Sequence, residues 1–197
     1  LPEARLNDLA RIGHSYAHDQ WMAPDELAAG FTLERLGRAP ARYDEAQLLH
    51  WQSEAVQHAT PERLWAWLES AVGASVPTAS REVFIAAVRP NIRFPADAAF
   101  WAERLFGAEL SLSEESRALV AQTGPAFFTH ALAAYVEHGG AYQPLFDDLK
   151  RRTGAKGKGL FMPMRAALTG ELHGPELARI LALMPAELAR RRLEGAG

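Results

Sequence analysis

The sequence has 197 residues, of which 48% are hydrophobic and 23% are charged, and its formal net charge at pH 7 is −3. This composition is typical of a folded globular protein and excludes an intrinsically disordered chain. It contains no cysteine, which excludes disulfides and thiolate metal sites. No apolar run reaches the ~20 residues that a membrane span needs, so we expect a cytoplasmic protein without a membrane partner.

Helical periodicity runs through nearly the whole chain. Apolar residues recur at helical spacing within residues 48–55, 84–88 and 177–184, and Leu6 and Leu9 mark the face of the first helix that we expect to be buried. Sustained period-two alternation is absent from the sequence, as are the Asn-Gly and Asp-Gly turns of hairpins. The sequence therefore predicts an all-α fold of ten or more short helices, without a Rossmann domain.

Several helix starts have recognisable signals. Thr60 followed by Pro61 fits an N-cap with proline in the first turn, and Ser111 with Glu114 fits a capping box. The run 174–176, Gly-Pro-Glu, predicts another start with proline at the first helical position. Two stretches rich in small residues, 72–80 and 153–160, predict loops or joints between helices.

Charge is distributed unevenly along the chain. From Lys150 to the end there are ten Lys/Arg and four Asp/Glu, whereas the preceding residues are acidic overall. A basic C-terminal third could attract phosphates locally. The alternative is a solvated helix end, because the final "ARRRLEGAG" places cations where the helix dipole favours them.

Two short patterns are weak as functional signals. His14 and His18 lie four residues apart, but Gly13 precedes them at the expected helix end and no third ligand is indicated, so we predict no metal site. "GAKGKG" lacks the spacing and the hydroxyl of a nucleotide-binding P-loop. A mobile basic loop that contacts a phosphate backbone through Lys156 and Lys158 is the better interpretation.

Three stretches together resemble one family. "LPEARLNDLARIGHS", "FTLERLGRAPARYDEAQLLHWQ" and the late "PMRAALTG…HGPEL…ILALM" are similar, in order and spacing, to segments of bacterial glutamyl-tRNA synthetases. The HIGH-type and KMSKS-type motifs of the class I catalytic domain are absent from this sequence. The resemblance therefore implies the C-terminal half of such an enzyme, which selects and positions the tRNA.

The resemblance also implies a domain organisation and a set of partners. We expect a stem-contact segment at residues 1–58, a first anticodon-binding helical subdomain at 59–115 and a second at 116–197. The parent enzyme would attach glutamate to tRNA(Glu) using ATP with Mg²⁺. This part would hold no catalytic residue and no cofactor, and would act as a monomer on tRNA(Glu), without binding DNA.

By the same resemblance, four residues match contacts to the first and second anticodon bases: Arg165, Gly174, Pro175 and Leu177. We expect Pro163 to lie in a first helical turn, which would place Arg165 beside free N–H groups at a positive helix end. The family often carries a side-chain hydroxyl where Gly174 stands. The alternatives are a buried ion pair for Arg165 and core packing for Leu177.

Further contacts are expected upstream. Arg89 matches the position where members that accept only glutamate-type tRNA carry an arginine, which would read the third anticodon base; Arg93 is the alternative should the register differ. A solvated helix-end cation is the competing interpretation for Arg89. Contacts to phosphate and sugar, which position the tRNA without reading its sequence, are expected from Arg38 and Arg42, and nearer the anticodon from Lys156 and Lys158.

A function of another class stays open at this point. The acidic first 149 residues and the many aromatic side chains are also compatible with a helical protein–protein adaptor that has no RNA role. An adaptor of this kind would not show the steep salt dependence that is typical of proteins that bind tRNA.

Overall fold

A computed structural model describes residues 1–37 and 43–197. Within these two ranges it contains twelve α-helices and no strand, which confirms the all-α prediction. None of the helices in the described ranges is both long and apolar enough to cross a bilayer. The helices are α1 (Pro2–Ile12), α2 (Pro24–Gly30), α3 (Glu45–His58), α4 (Pro61–Val72), α5 (Arg81–Val88), α6 (Pro95–Phe106), α7 (Glu114–Thr123), α8 (Pro125–His138), α9 (Tyr142–Thr153), α10 (Lys158–Thr169), α11 (Leu177–Leu183) and α12 (Ala186–Ala196).

Helix starts agree with the sequence signals in part. The Thr60 side chain accepts a hydrogen bond from the N–H of Arg63 at 3.2 Å, so the predicted cap of α4 is confirmed. The cap of α7 is Ser113 and not Ser111, because the Ser113 hydroxyl directly precedes the helix and accepts from the N–H of Ser116 at 3.2 Å.

The first helix buries a different face from the one predicted. Leu6 and Leu9 are 46% and 64% exposed, whereas Ala4, Asn7 and Asp8 are buried. Asn7 decides this orientation, because its amide forms two hydrogen bonds with the backbone of Met22, donating to the O at 2.8 Å and accepting from the N–H at 3.1 Å. The polar side chain thereby anchors the loop that leads into α2.

One large hydrophobic cluster forms the main core of the described part of the chain. It extends from α3 to α12 and includes the fully buried side chains of Phe84, Phe128, Met164 and Ile180. A separate small cluster of Ala4, Trp51 and Ala55 holds α1 on α3. The later helices α4–α12 therefore share a single core.

A buried arginine joins three helices at the edge of this core. Arg192 on α12 donates from Nη1 to the O of Leu168 at 2.6 Å and from Nη2 to the O of Gly107 at 2.8 Å, and Nη1 also contacts the O of Arg104. These carbonyls belong to the C-terminal ends of α10 and α6, where orphan acceptors collect. Burial lowers the pKa of Arg192 to about 10. One guanidinium thus caps two helices at once.

Candidate nucleic-acid interface

The position of Arg165 differs from the one expected. Helix α10 begins at Lys158, where the N–H groups of Leu160 and Phe161 both bond to the O of Gly157. Pro163 is therefore the sixth residue of the helix, in its interior, and the prediction that it occupies the first turn is wrong. Since the free N–H groups of a helix belong to its first turn, Arg165 is too far along α10 to lie beside them.

The guanidinium of Arg165 has one hydrogen-bond partner in the described part of the chain. The side chain is half-buried, and its Nη1 donates to the O of Pro175 at 2.6 Å. Burial lowers the pKa of Arg165. No ion pair between described residues includes Arg165, so the structure does not support the alternative of a buried ion pair. The remaining N–H groups have no partner among the described residues and are not sealed from solvent.

The loop between α10 and α11 is shaped by two contacts with α6. Gly174 has a φ of +135°, and a Cβ added there would lie 2.1 Å from the Trp101 ring, which is only 6% exposed. Next to it, the Glu171 carboxylate accepts a hydrogen bond from Arg104 Nη2 at 2.6 Å. The close approach that requires glycine at 174 is therefore made by Trp101 of this chain.

Pro175 and Leu177 lie deeper than expected. Helix α11 begins at Leu177, with Glu176 as its N-cap, so the prediction that Pro175 opens the helix is wrong. Pro175 is buried, and its carbonyl oxygen accepts the hydrogen bond from Arg165. Leu177 is 5% exposed and belongs to the large hydrophobic cluster. This packing is the alternative given above for Leu177, and it does not support the expected contact of this side chain with a base.

Arg89 ends α5 and caps a neighbouring helix. Its Nη1 lies 2.8 Å from the O of Gln57, 2.6 Å from the O of Ala59 and 3.3 Å from the O of Val56, at the C-terminal end of α3. Gln57 Nε2 donates in return to the O of Arg89 at 3.0 Å. Arg89 is half-buried, so it is a structural cap and not the solvated cation of the competing interpretation.

Arg93 lies at the rim of an open polar groove. Its backbone is fixed, because its N–H donates to Asp97 Oδ2 at 2.8 Å and its O accepts from Gln52 Nε2 at 2.8 Å. The side chain is exposed. The groove has a volume of about 560 Å³ and is lined by Ser53, Gln57, Pro90, Asn91, Ile92, Arg93 and Asp97.

The predicted phosphate-binding lysines are accessible. Lys156 and Lys158 are exposed on either side of Gly157, at the start of α10. Neither forms an ion pair with a residue in ranges 1–37 or 43–197. Arg38 and Arg42 lie outside the described residues.

One cluster of potential metal ligands among the described residues, and one histidine of the His14/His18 pair, form hydrogen bonds within the protein. Glu137, His138 and Asp148 approach one another, but Asp148 accepts a hydrogen bond from Arg152 Nε at 2.8 Å and another from Arg151. The bond from Arg152, followed by the one from Arg151, holds the pKa of Asp148 well below its ordinary value. His14 lies beyond the end of α1, and its Nε2 accepts from the N–H of Thr32 at 3.1 Å.

Comparisons with known proteins place this chain in a family. The family described as "Anticodon binding domain" matches residues 54–196. Glutamate–tRNA ligase 2 of Nitrosococcus oceani is 48% identical over 194 residues, which are 98% of this chain and 41% of that protein. Glutamate–tRNA ligase 2 of Alkalilimnicola ehrlichii is 47% identical over 199 residues, which cover 100% of this chain and 42% of that protein.

The fold is shared with a solved structure. A glutamate tRNA ligase from Elizabethkingia meningosepticum, crystallised with its amino acid, superposes with a TM-score of 0.84 at 21% identity. The match covers 100% of this chain and 41% of that one. This chain thus spans about two fifths of the length of the relatives it matches. These matches do not support the adaptor alternative, and since most of its length fits one family, the chain belongs to the anticodon-binding domain family.

Proposed function

We propose that this chain recognises the anticodon of tRNA(Glu) and orients that tRNA within a glutamate–tRNA ligase. The observation that carries the proposal is the match of residues 54–196 to the anticodon-binding domain family. The relatives are named as glutamate–tRNA ligases, and the ligase activity in the proposal comes from those names. Activation of glutamate by ATP with Mg²⁺ would belong to the other three fifths of such a protein, and this part would need no cofactor.

Arg165 is the residue best placed to read a base. Its hydrogen bond to Pro175 fixes the guanidinium plane, and half-burial keeps water from part of it. A fixed planar fork can form paired hydrogen bonds with a base edge or stack on its face. The Gly174–Pro175 backbone would line the same site, because it is held against Arg165 on one side and Trp101 on the other.

Arg89 and Arg93 would form a second contact region. Nη1 of Arg89 is occupied by α3 carbonyls, so its other nitrogen atoms would face the RNA. The adjoining polar groove offers hydrogen-bonding side chains and an exposed Arg93. We assign the third anticodon base to this region. Its two arginines belong to the proposed first helical subdomain, 59–115, and Arg165 belongs to the proposed second, 116–197.

Contacts to phosphate would position the RNA and carry most of the salt dependence. Lys156 and Lys158 are suited to this because both are exposed at the start of α10, the helix that carries Arg165. Arg38 and Arg42, in the stem-contact segment 1–58, are assigned the same role.

The proposal is tested by a binding titration with tRNA(Glu) at low and moderate salt, followed by fluorescence anisotropy. Binding should weaken steeply with salt. Exchange of one anticodon base should weaken it further by about 1–3 kcal/mol, the typical cost of one mismatched base pair in a protein–DNA site. Absence of an anticodon preference would contradict the proposed function.

A matched pair of variants isolates base reading from charge. Arg165→Gln and Arg179→Gln each remove one positive charge, but Arg179 is exposed on α11 and pairs only with Glu176 among the described residues. Arg165→Gln should reduce the anticodon preference more than the affinity for unrelated RNA, while Arg179→Gln should reduce both equally. Equal effects of the two substitutions would exclude Arg165 as a base contact.

A further inference from the structure

A small aromatic cleft lies between α9 and the first turns of α10. Its volume is about 220 Å³. Tyr142 and Phe161 are half-buried, their ring planes are 9° from parallel, and their centroids are 6.4 Å apart. Phe146 is 4% exposed and lies behind them, with its centroid 4.8 Å from that of Tyr142 and 4.9 Å from that of Phe161. The cleft therefore offers two near-parallel ring faces above an apolar floor.

The rim of this aromatic cleft carries positive charge. Lys150 and Lys156 line it, both side chains are exposed, and neither forms an ion pair within the described ranges. Asp147 also lines the cleft, and its carboxylate accepts hydrogen bonds from Gln143 Nε2 at 3.1 Å. Aromatic faces flanked by cations are the combination with which proteins hold single-stranded nucleic acid.

The cleft adjoins Arg165. Phe161 and Arg165 are four residues apart on α10, so they share a helix face at about 6 Å along its axis. Burial lowers the pKa of Arg165, and the Tyr142 phenol partly opposes this lowering. Stacked neighbours in a duplex strand are only ~3.4 Å apart. Two consecutive bases at Arg165 and at the cleft would therefore be unstacked, as splayed loop bases are.

We propose that the aromatic cleft binds the base of one unpaired loop nucleotide, the neighbour in sequence of the nucleotide held at Arg165. Tyr142 and Phe161 stack on the base, and Lys150 and Lys156 face its phosphate. This inference rests on the proposed function and adds a site for a nucleotide that is held by stacking. Stacking on aromatic rings is tolerant of base identity, because every base has a π-face. The cleft therefore contributes affinity and loop geometry, while sequence is read at Arg165.

The test uses the whole chain and the anticodon stem-loop of tRNA(Glu), with 2-aminopurine placed in turn at each unpaired position. One position next to the Arg165 nucleotide should show a change in fluorescence on binding. That change should be lost in Tyr142→Leu but kept in Tyr142→Phe, which retains the ring. Photo-crosslinking of a halogenated pyrimidine at that position, followed by mass spectrometry, should label Tyr142 or Phe161 in the unaltered protein.

Affinities give a second measure. Tyr142→Leu and Phe161→Leu should each weaken stem-loop binding about 5- to 150-fold, the range expected for loss of one stacked base. Lys156→Gln should lower the slope of log affinity against log salt by about 1. Thermal unfolding of each variant controls for folding, and the crosslink needs no variant.

The two hypotheses fail in different ways. If the stem-loop binds with an anticodon preference but gives no crosslink in the cleft and no loss in Tyr142→Leu, the cleft proposal is overturned and the proposed function stands. If no RNA binds the unaltered chain in a salt-dependent manner, the proposed function fails first and the cleft proposal fails with it.

Discussion

The contact between Gly174 and Trp101 makes a sharp prediction for Gly174→Ala. The new methyl group would lie 2.1 Å from one ring carbon and 2.4 Å from the next, far inside van der Waals contact. Trp101 cannot easily withdraw, because it is 6% exposed and belongs to the hydrophobic cluster. At φ +135° an L-residue is strained even where space is available.

The expected loss follows from these two effects. Backbone strain at such a φ costs about 1–3 kcal/mol, and forcing extra volume into a packed site costs about 1–3 kcal/mol more. Gly174→Ala should therefore lower the free energy of unfolding by roughly 2–6 kcal/mol. The resemblance places a hydroxyl-bearing residue at this position in many relatives; in this chain the Trp101 ring occupies that volume.

Equilibrium urea unfolding measures the loss. Gly195→Ala is the matched control, because Gly195 lies in α12 with nothing within 4 Å of an added Cβ, and the change should stabilise by roughly 0.5 kcal/mol. The double variant with Trp101→Leu separates the steric part from the strain. A loss below about 1 kcal/mol for Gly174→Ala would refute this reasoning.

Three further predictions concern side chains with structural roles. Arg192→Lys should lower the free energy of unfolding, measured in urea, by about 2–4 kcal/mol, because one ammonium cannot reach the ends of both helices. The control Arg191→Lys, at an exposed neighbouring position, should have almost no effect. Similar losses for the two variants would contradict the double cap. The paired guanidinium groups hold the pKa of Asp148 below its ordinary 3.8, so this carboxylate stabilises the fold above that pH and the benefit is lost as the pH falls towards its folded-state value. Acid titration of Asp148→Asn should therefore show a shallower loss of stability below about pH 4, with Asp147→Asn as control, and an unchanged slope would count against the pairing. Arg89→Gln should cost about 1–3 kcal/mol of stability through the uncapped α3 carbonyls, and it should also reduce discrimination at the third anticodon base. Undiminished stability would rule out the cap.

The helical class was predictable because its signals are local. The periodic stretches 84–88 and 177–184 bury the residues that the spacing indicates, and the cap at Thr60 is found where the sequence places it. These features depend on neighbours within one or two turns. The buried face of α1 was not predictable in the same way, since it is decided by Asn7 bonding to Met22.

The candidate site shows the same limit. The resemblance brings Arg165 and Gly174 to attention, but the interior position of Pro163 and the burial of Leu177 depend on tertiary packing. The pattern of α6 gives no signal that Trp101 meets Gly174, because the two residues are far apart in sequence. Similarly, the sequence pattern of the three aromatic residues on α9 and α10 is that of ordinary core positions. Only the structure shows that they line a cleft together with two lysines.

The cap that Arg192 forms on two helices has a consequence for how an RNA loop would be selected. Arg89 leads through a short turn into α6, Arg165 sits on α10, and both of those helices end on the same guanidinium. The C-terminal ends of α6 and α10 are therefore held together by hydrogen bonds to one side chain. If both arginines contact the RNA as proposed, an RNA bound at one of them would have to present its next contact at a fixed distance. The protein would then select the RNA loop as a whole, because both contacts would have to form at the same fixed distance.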